Sequence, residues 1–265
     1  MTEPLLIESH RDGALEIVTL NRPEVLNALD RPLIDALNTY FEGLVERDPV
    51  RVVILRGEGR AFCAGLDLKS PSNSLHTGVR AALDVQQRIA RIVQRMRRCP
   101  QPVIALVQGA ACGGGFSLAL ASDVRIAAPD ARMNAAYINI GLSSCDIGCS
   151  YLLPRLIGAS VAAELMLTAR FLTAERAEKL GFTSETVAAD KLLDTGLALA
   201  DEMLAKNPMG LRLTKQGLAM NIDAPSLEAA MALEDRQQVL LTATADHREA
   251  IGAFLDKRPP AWRDS

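Results

Sequence analysis

The chain has only three histidines, His10, His76 and His247, and they are too scattered to suggest a metal site. Its five cysteines (Cys63, Cys99, Cys112, Cys145 and Cys149) are odd in number, contain no CxxC pair and sit in apolar surroundings. That pattern argues against a disulfide framework and fits reduced thiols, so a cytoplasmic location is expected. A basic block is missing as well. The 29 Lys and Arg and 32 Asp and Glu are spread along the chain without interleaved aromatics, leaving a net charge of −3 and no expected nucleic-acid partner. The opening residues, MTEPLLIESHRDG, have neither the basic-then-apolar order of a secretory leader nor an Arg- and Ser-rich presequence, so no targeting segment is expected. Only residues 102–121 approach membrane-spanning length, and Gln108, Ser117 and three consecutive glycines make that stretch a poor lipid-facing helix. No membrane partner is expected, and no exact repeat or low-complexity segment occurs.

At 265 residues and 49% hydrophobic, the chain can bury a large core. Residues 14–20 (ALEIVTL) and 50–57 (VRVVILRG) read as strands around a helix that starts near Asp30, a candidate N-cap, with Pro32 in its first turn. A second helical pattern over 79–99 stops at Pro100 and feeds PVIALVQG, a strand suited to burial on both faces. Further strands are expected at DVRIAA and ARMNAA, and from about Ser160 the pattern turns helical. The fold class is therefore α/β, with a core over 1–200 followed by a helical region over 201–265.

In that frame, Gly113–Gly115 stand directly after the buried strand pattern. Three glycines let backbone approach backbone or ligand and leave amide N–H groups uncovered. If a helix begins there, those amides also lie at the positive end of its dipole and suit negative charge. A tight strand-to-helix turn is the alternative. Neither a G-x-G-x-x-G nor a Walker pattern can be laid over the triplet. A second strand end, GEGRAFCAGLDL (57–68), also runs into small residues, Ala64 and Gly65, and then Asp67. Two such turns supply two N–H donors that can converge.

Four segments, LNRPEVLNAL (20–29), GRAFCAGLDL (59–68), QGAACGGGFSLALASDVRIA (108–127) and GASVAAELMLTARFLTAERAEKLGFTSETV (158–187), together resemble the crotonase, or enoyl-CoA hydratase/isomerase, superfamily. DHREAIGAFLDKR near the end extends the resemblance over nearly the whole chain. It implies a spiral of repeated ββα units and a C-terminal helical region that assembles homotrimers, often homohexamers. It implies an acyl-CoA thioester as substrate, with coenzyme A as part of that substrate and no other cofactor or metal. The oxyanion hole would be formed by the N–H groups of Ala64 and Gly114. The substrate and its CoA would be contacted by Arg22, Val25, Leu26, Phe62, Ala64, Gly65, Asp67, Leu68 and Lys257. Asp67 has a structural alternative, an Asx turn, and Arg22 and Lys257 have that of solvated surface charges.

The resemblance breaks at the acid and base. Hydratases of this family use two glutamates, and the matching positions here hold Ser117 and Tyr137. A serine hydroxyl does not ionise unaided near neutral pH, and a tyrosine with a reference pKa of about 10 is a proton donor but a poor base. Asp146, in GLSSCDIGCSYLLPRLIG, resembles the catalytic aspartate of dienoyl-CoA isomerases and chlorobenzoyl-CoA dehalogenases. One extra residue after Gly141 leaves Cys145 as a rival for its place, and capping of a helix near Ile147 is the alternative role. The catalytic candidates are thus Asp146, Tyr137 and Ser117, for hydration or double-bond isomerisation of an enoyl-CoA. His76, in a polar loop, is a lesser candidate for substrate contact. Two other readings stay open: a non-catalytic acyl-CoA-binding protein, and a serine hydrolase in which GGFSLA imitates a nucleophile elbow with Ser117 and His247.

Overall fold

The computed structural model describes residues 3–73 and 78–264. Short runs rich in Val, Ile and Leu form the centre of a six-stranded sheet. The first strands are β1 (Leu5–His10), β2 (Leu15–Leu20) and β3 (Val52–Gly57), with helix α1 (Arg31–Gly43) between β2 and β3. Helix α2 (Val79–Arg98) then leads to β4 (Val103–Val107), β5 (Ala110–Cys112), α3 (Gly114–Ala121), β6 (Val124–Ala127) and β7 (Arg132–Asn134). The rest comprises α4 (Cys149–Ile157), α5 (Ala159–Thr168), β8 (Leu172–Thr173), α6 (Ala174–Lys179), β9 (Glu185–Thr186), α7 (Leu192–Leu204), α8 (Pro208–Asn221), α9 (Leu227–Thr242) and α10 (Ala245–Leu255).

The sheet order is β1-β2-β3-β4-β6-β9, parallel throughout except for β1 at the edge. Parallel neighbours need long crossovers, and each crossover here first adds a short piece to a second layer. After β2 that piece is Leu29, after β3 it is Cys63 and Leu66, after β4 it is β5 and after β6 it is β7. Leu29 pairs with Leu66, Cys63 with Ala111, β5 with β7, and β7 with β8. The result is a spiral of ββα turns whose second layer holds both glycine-bearing loops side by side.

Asp30 caps α1 by accepting from the Leu33 amide at 3.0 Å, a bond worth about 1 kcal/mol. Helix α2 turns Ile89, Ile92, Val93 and Met96 inward, and with α1 and α3 it covers one face of the sheet. The other face packs Ile17, Ile54, Ile104 and Ile126 against Leu192 and Ala200 of α7. Arg125 braces the end of α3 by donating to the carbonyls of Phe182, Ala119 and Ser122. Helix α8 docks through Lys215, whose buried ammonium meets the Asp123 carboxylate at 2.9 Å and the carbonyls of Met96 and Gln101. The C-terminal tail folds back, with the Asp246 carboxylate accepting from the amides of Arg263 and Asp264.

Several elements differ from the sequence expectation, among them the short strands β8 and β9 within the stretch expected to be helical. Strand β1 was not apparent because half of its residues are exposed and its order comes from pairing with β2. Helix α4 begins at Cys149 rather than near Ile147, is N-capped by Gly148 and tolerates Pro154 inside it. Among the described residues, no helix is long and apolar enough to cross a membrane.

Candidate active site

A cavity of about 660 Å³ lies where α8 and α9 meet α3 and α4. Each charged side chain of its lining has a partner: Arg97 pairs with Asp123 and Arg155 with Asp223, Arg125 donates to main-chain carbonyls and Glu234 accepts from Asn221. A smaller pocket of about 110 Å³ lies where the two glycine loops meet. It has room for the acyl end of a ligand and not for a nucleotide. Leu29, Ile89, Ile140 and Leu142 supply apolar walls, while Asp146 and Gln86 are its polar features. Apolar walls with a few convergent polar groups are the usual character of a small-molecule site.

Close backbone approach brings the loops together. A Cβ on Gly115 would stand 2.0 Å from the Cys63 carbonyl oxygen, so this position admits no side chain without moving main chain. Gly65 has φ +93°, and a Cβ there would lie 2.6 Å from the Cys112 carbonyl oxygen and 3.3 Å from the Gly114 nitrogen. The resemblance places one oxyanion donor on Ala64, and the structure corrects that register. The Ala64 N–H already donates to the Leu26 carbonyl at 2.9 Å. Leu66 is different. Its neighbours make the bonds to Leu29, from the Asp67 amide and to the Gly65 carbonyl, so in a parallel pairing Leu66's own N–H faces away from Leu29, toward the glycine triplet. Gly114 is the first residue of α3 after Gly113 as N-cap, so its N–H has no intrahelical acceptor. Among the described residues neither the Leu66 nor the Gly114 N–H has a backbone acceptor, and both residues line the pocket.

Asp146 lines the same pocket, whereas Cys145 is exposed and does not. The Asp146 side chain does not cap α4. Its Oδ1 accepts from the amide of Ile147 at 2.8 Å and from the Gln86 side-chain amide. Burial raises its pKa above the ordinary aspartate value, while these two donors oppose the rise by favouring the anion. Gln86 is a site residue that sequence reasoning missed. Its signal was a glutamine in helical register with the buried Ile89 and Val93. Replacing Gln86 with Leu removes a donor to the ionised form. The Asp146 pKa then rises further, and the acid limb of the kcat/KM profile should move to higher pH. A limb that stays in place would show that Gln86 does not tune Asp146.

Ser117 and Tyr137 are engaged with each other and with the backbone. Ser117 is fully buried, and its Oγ lies 2.6 Å from the Tyr137 hydroxyl, which in turn donates to the Gly113 carbonyl at 2.6 Å. Tyr137 shows its ring to the pocket, and burial drives its pKa well above the ordinary tyrosine value. The same bonds speak against the hydrolase reading, because the hydroxyl of Ser117 is engaged by Tyr137 and among the described residues no histidine bonds it.

Of the other contact candidates, Ala64, Gly65 and Leu68 line the pocket. Phe62 is fully buried in the core and does not. Val25 and Leu26 belong to the turn beside it, where Leu26 accepts from Ala64. Arg22 is not a free cation: it pairs with Asp67 at 3.0 Å and Asp30 at 3.2 Å and donates to the Ala28 carbonyl. Asp67 also accepts from the amides of Lys69 and Ser70, the Asx turn foreseen as its structural role. Lys257 is exposed just beyond α10, away from the pocket lining, and His76 lies outside the described residues.

Two unpaired backbone amides and a carboxylate lining one small pocket with apolar walls suit a protein that polarises a carbonyl and handles a proton beside it. The model of the enoyl-CoA hydratase/isomerase family matches residues 10–265, and the chain belongs to that family. It is 40% identical over 268 residues to a probable enoyl-CoA hydratase of Mycobacterium tuberculosis, covering 99% of this chain and 94% of the relative. It is 36% identical over 260 residues to the 1,2-epoxyphenylacetyl-CoA isomerase of Escherichia coli, covering 97% of each. The solved enoyl-CoA hydratase of Bacillus anthracis superposes with a TM-score of 0.93 at 29% identity, over 99% of this chain and 100% of that one. The fold is thus the crotonase fold, and the chain is an enzyme of the hydratase/isomerase type.

Proposed function

We propose that the pocket takes the acyl end of an enoyl-CoA thioester and moves its double bond. The N–H groups of Leu66 and Gly114 hold the thioester oxygen. The Asp146 carboxylate takes a proton from C2 of a 3-enoyl chain, and the electron pair delocalises onto that oxygen as a dienolate. Asp146 then returns the proton at C4, leaving the double bond between C2 and C3 and the carboxylate as it began. Water is neither consumed nor released, and every step draws on the chain's own groups and the thioester. One observation carries this choice over hydration: among the described residues lining the pocket, Asp146 is the sole carboxylate. Its hydratase counterpart positions hold a serine and a tyrosine bonded into the backbone.

Incubation with 3-enoyl- and 2-enoyl-CoA thioesters in deuterated water, read by mass spectrometry, tests the reading. The expected product is an isomer carrying exchanged deuterium and no added water. A hydrated product would overturn isomerisation, and tight binding without turnover would favour a binding protein.

Assembly into a homotrimer or homohexamer is part of the proposal. The support is the apolar surface of the C-terminal helices, where Leu218, Leu227, Val239 and Phe254 are 70%, 69%, 68% and 82% exposed. A compact monomer in sedimentation at micromolar concentration would contradict it. The free thiols suit a cytoplasmic setting, and Lys257 is the basic residue we propose for the CoA phosphates.

A further inference from the structure

The peptide between Gly113 and Gly114 carries two groups with different neighbours. Its N–H is carried by Gly114, which lines the pocket, and has no intrahelical acceptor. Its carbonyl, on Gly113, accepts the first bond of α3 from the Ser117 amide at 3.0 Å and a second from the Tyr137 hydroxyl at 2.6 Å. The proton directions follow from valence. A carbonyl only accepts, so the single hydroxyl proton of Tyr137 points to Gly113, and Ser117 must donate its own proton to the Tyr137 oxygen across 2.6 Å. The order Ser117 to Tyr137 to Gly113 carbonyl is a directed chain, and it is buried along its length. Tyr137 Cε1 also lies 3.6 Å from where a Cβ of Gly113 would be, so the ring rests against the peptide that its hydroxyl bonds.

A trans peptide places its N–H and C=O on opposite sides of one conjugated plane. Donors on the oxygen pull electron density toward it and leave the N–H on the other side a stronger donor, and linked hydrogen bonds reinforce one another in this way. The two hydrogen bonds on the carbonyl, at 2.6 and 3.0 Å, also hold the plane, so the Gly114 N–H is aimed before a ligand arrives. We propose that Tyr137, backed by Ser117, is a positioning residue that orients and polarises the Gly113–Gly114 peptide, strengthening its N–H toward an enolate oxygen. The pair occupies positions at which acid–base groups were expected from the family resemblance, and it acts on the oxygen of the substrate through the backbone. This inference rests on the assignment of the Gly114 N–H as an oxyanion donor.

Its signature is discrimination between an anionic and a neutral carbonyl oxygen. Acetoacetyl-CoA, whose enolate absorbs in the near ultraviolet, reports the first, and saturated butyryl-CoA the second. In the parent, binding should draw acetoacetyl-CoA toward its enolate. In Tyr137→Phe, which keeps the ring and loses the donor, affinity for the enolate should fall by about three- to tenfold, the range of one hydrogen bond. Butyryl-CoA affinity should stay close to parental. Ser117→Ala removes the outer donor and should shift enolate affinity in the same direction by less. A folded Tyr137→Phe protein that keeps the parental enolate band and affinity overturns the proposal. Equal weakening toward both ligands also overturns it, because a merely structural role would act on both alike. Should Tyr137→Phe fail to fold, Ser117→Ala decides by the same comparison. A parent that binds butyryl-CoA but draws no enolate removes the oxyanion assignment itself, an outcome distinct from failure of the tyrosine.

Discussion

Asp146→Asn should lower kcat on an isomerised enoyl-CoA by about 10²- to 10⁴-fold, the range associated with general acid–base catalysis, and leave the affinity for a saturated acyl-CoA near the parental value. The substitution is nearly isosteric. The Asn carbonyl oxygen can still accept from Ile147 and from Gln86, the partners that hold the side chain in place. Only the capacity to take a proton is lost. No neighbour is suited to replace it, since Ser117 is buried, Tyr137 is engaged with Gly113 and Cys145 is exposed away from the pocket. The parent should lose activity as pH falls, because protonation removes the base, and burial places that loss at a higher pH than for a solvated aspartate. The Asn variant's residual rate should lack this acid limb. Full activity in a folded Asp146→Asn protein would make Asp146 structural and return the search for the base to Cys145 and the residues around His76.

Much of the architecture was legible because its causes are local or periodic. The buried strands β3 and β4 are short β-branched runs, α1 has its Asp30 cap and Pro32, and α2 ends where Pro100 forbids continuation. The glycine triplet announced close backbone approach, and Cys63 proves to be the backbone that Gly115 meets. What was not legible depends on partners distant in sequence. Which amide of the second loop is free depends on the Leu26 carbonyl having already taken Ala64, and no local pattern reveals that bond. Arg22 looked like a surface cation because Asp67, which captures it, lies 45 residues further on. Gln86 reaches Asp146 across 60 residues. Ser117 and Tyr137 were read singly as possible acids or bases, although their chemistry is set by the bond between them.

Gly114→Pro should reduce turnover by about 10²- to 10³-fold relative to Gly114→Ala, the effect of deleting one preorganised oxyanion donor. The comparison with alanine controls for the added Cβ. Either substitution brings a Cβ to 2.9 Å from Leu29 Cδ1, the end of a flexible side chain, so that contact is common to both variants, while the proline ring adds its own restriction on Gly113. Proline adds the loss of the donor. It does so at the first position of α3, where the amide has no intrahelical acceptor and where the fixed φ of proline suits a helix start. The helix therefore loses no hydrogen bond, and the thermal midpoints of the two variants report how much strain the ring places on Gly113. The deficit should appear in kcat more than in KM, because the N–H strengthens its hold as charge moves onto the thioester oxygen. If Gly114→Pro is folded and turns over substrate as well as Gly114→Ala does, Gly114 is not a donor in the transition state, and Leu66 would have to stabilise the enolate without it.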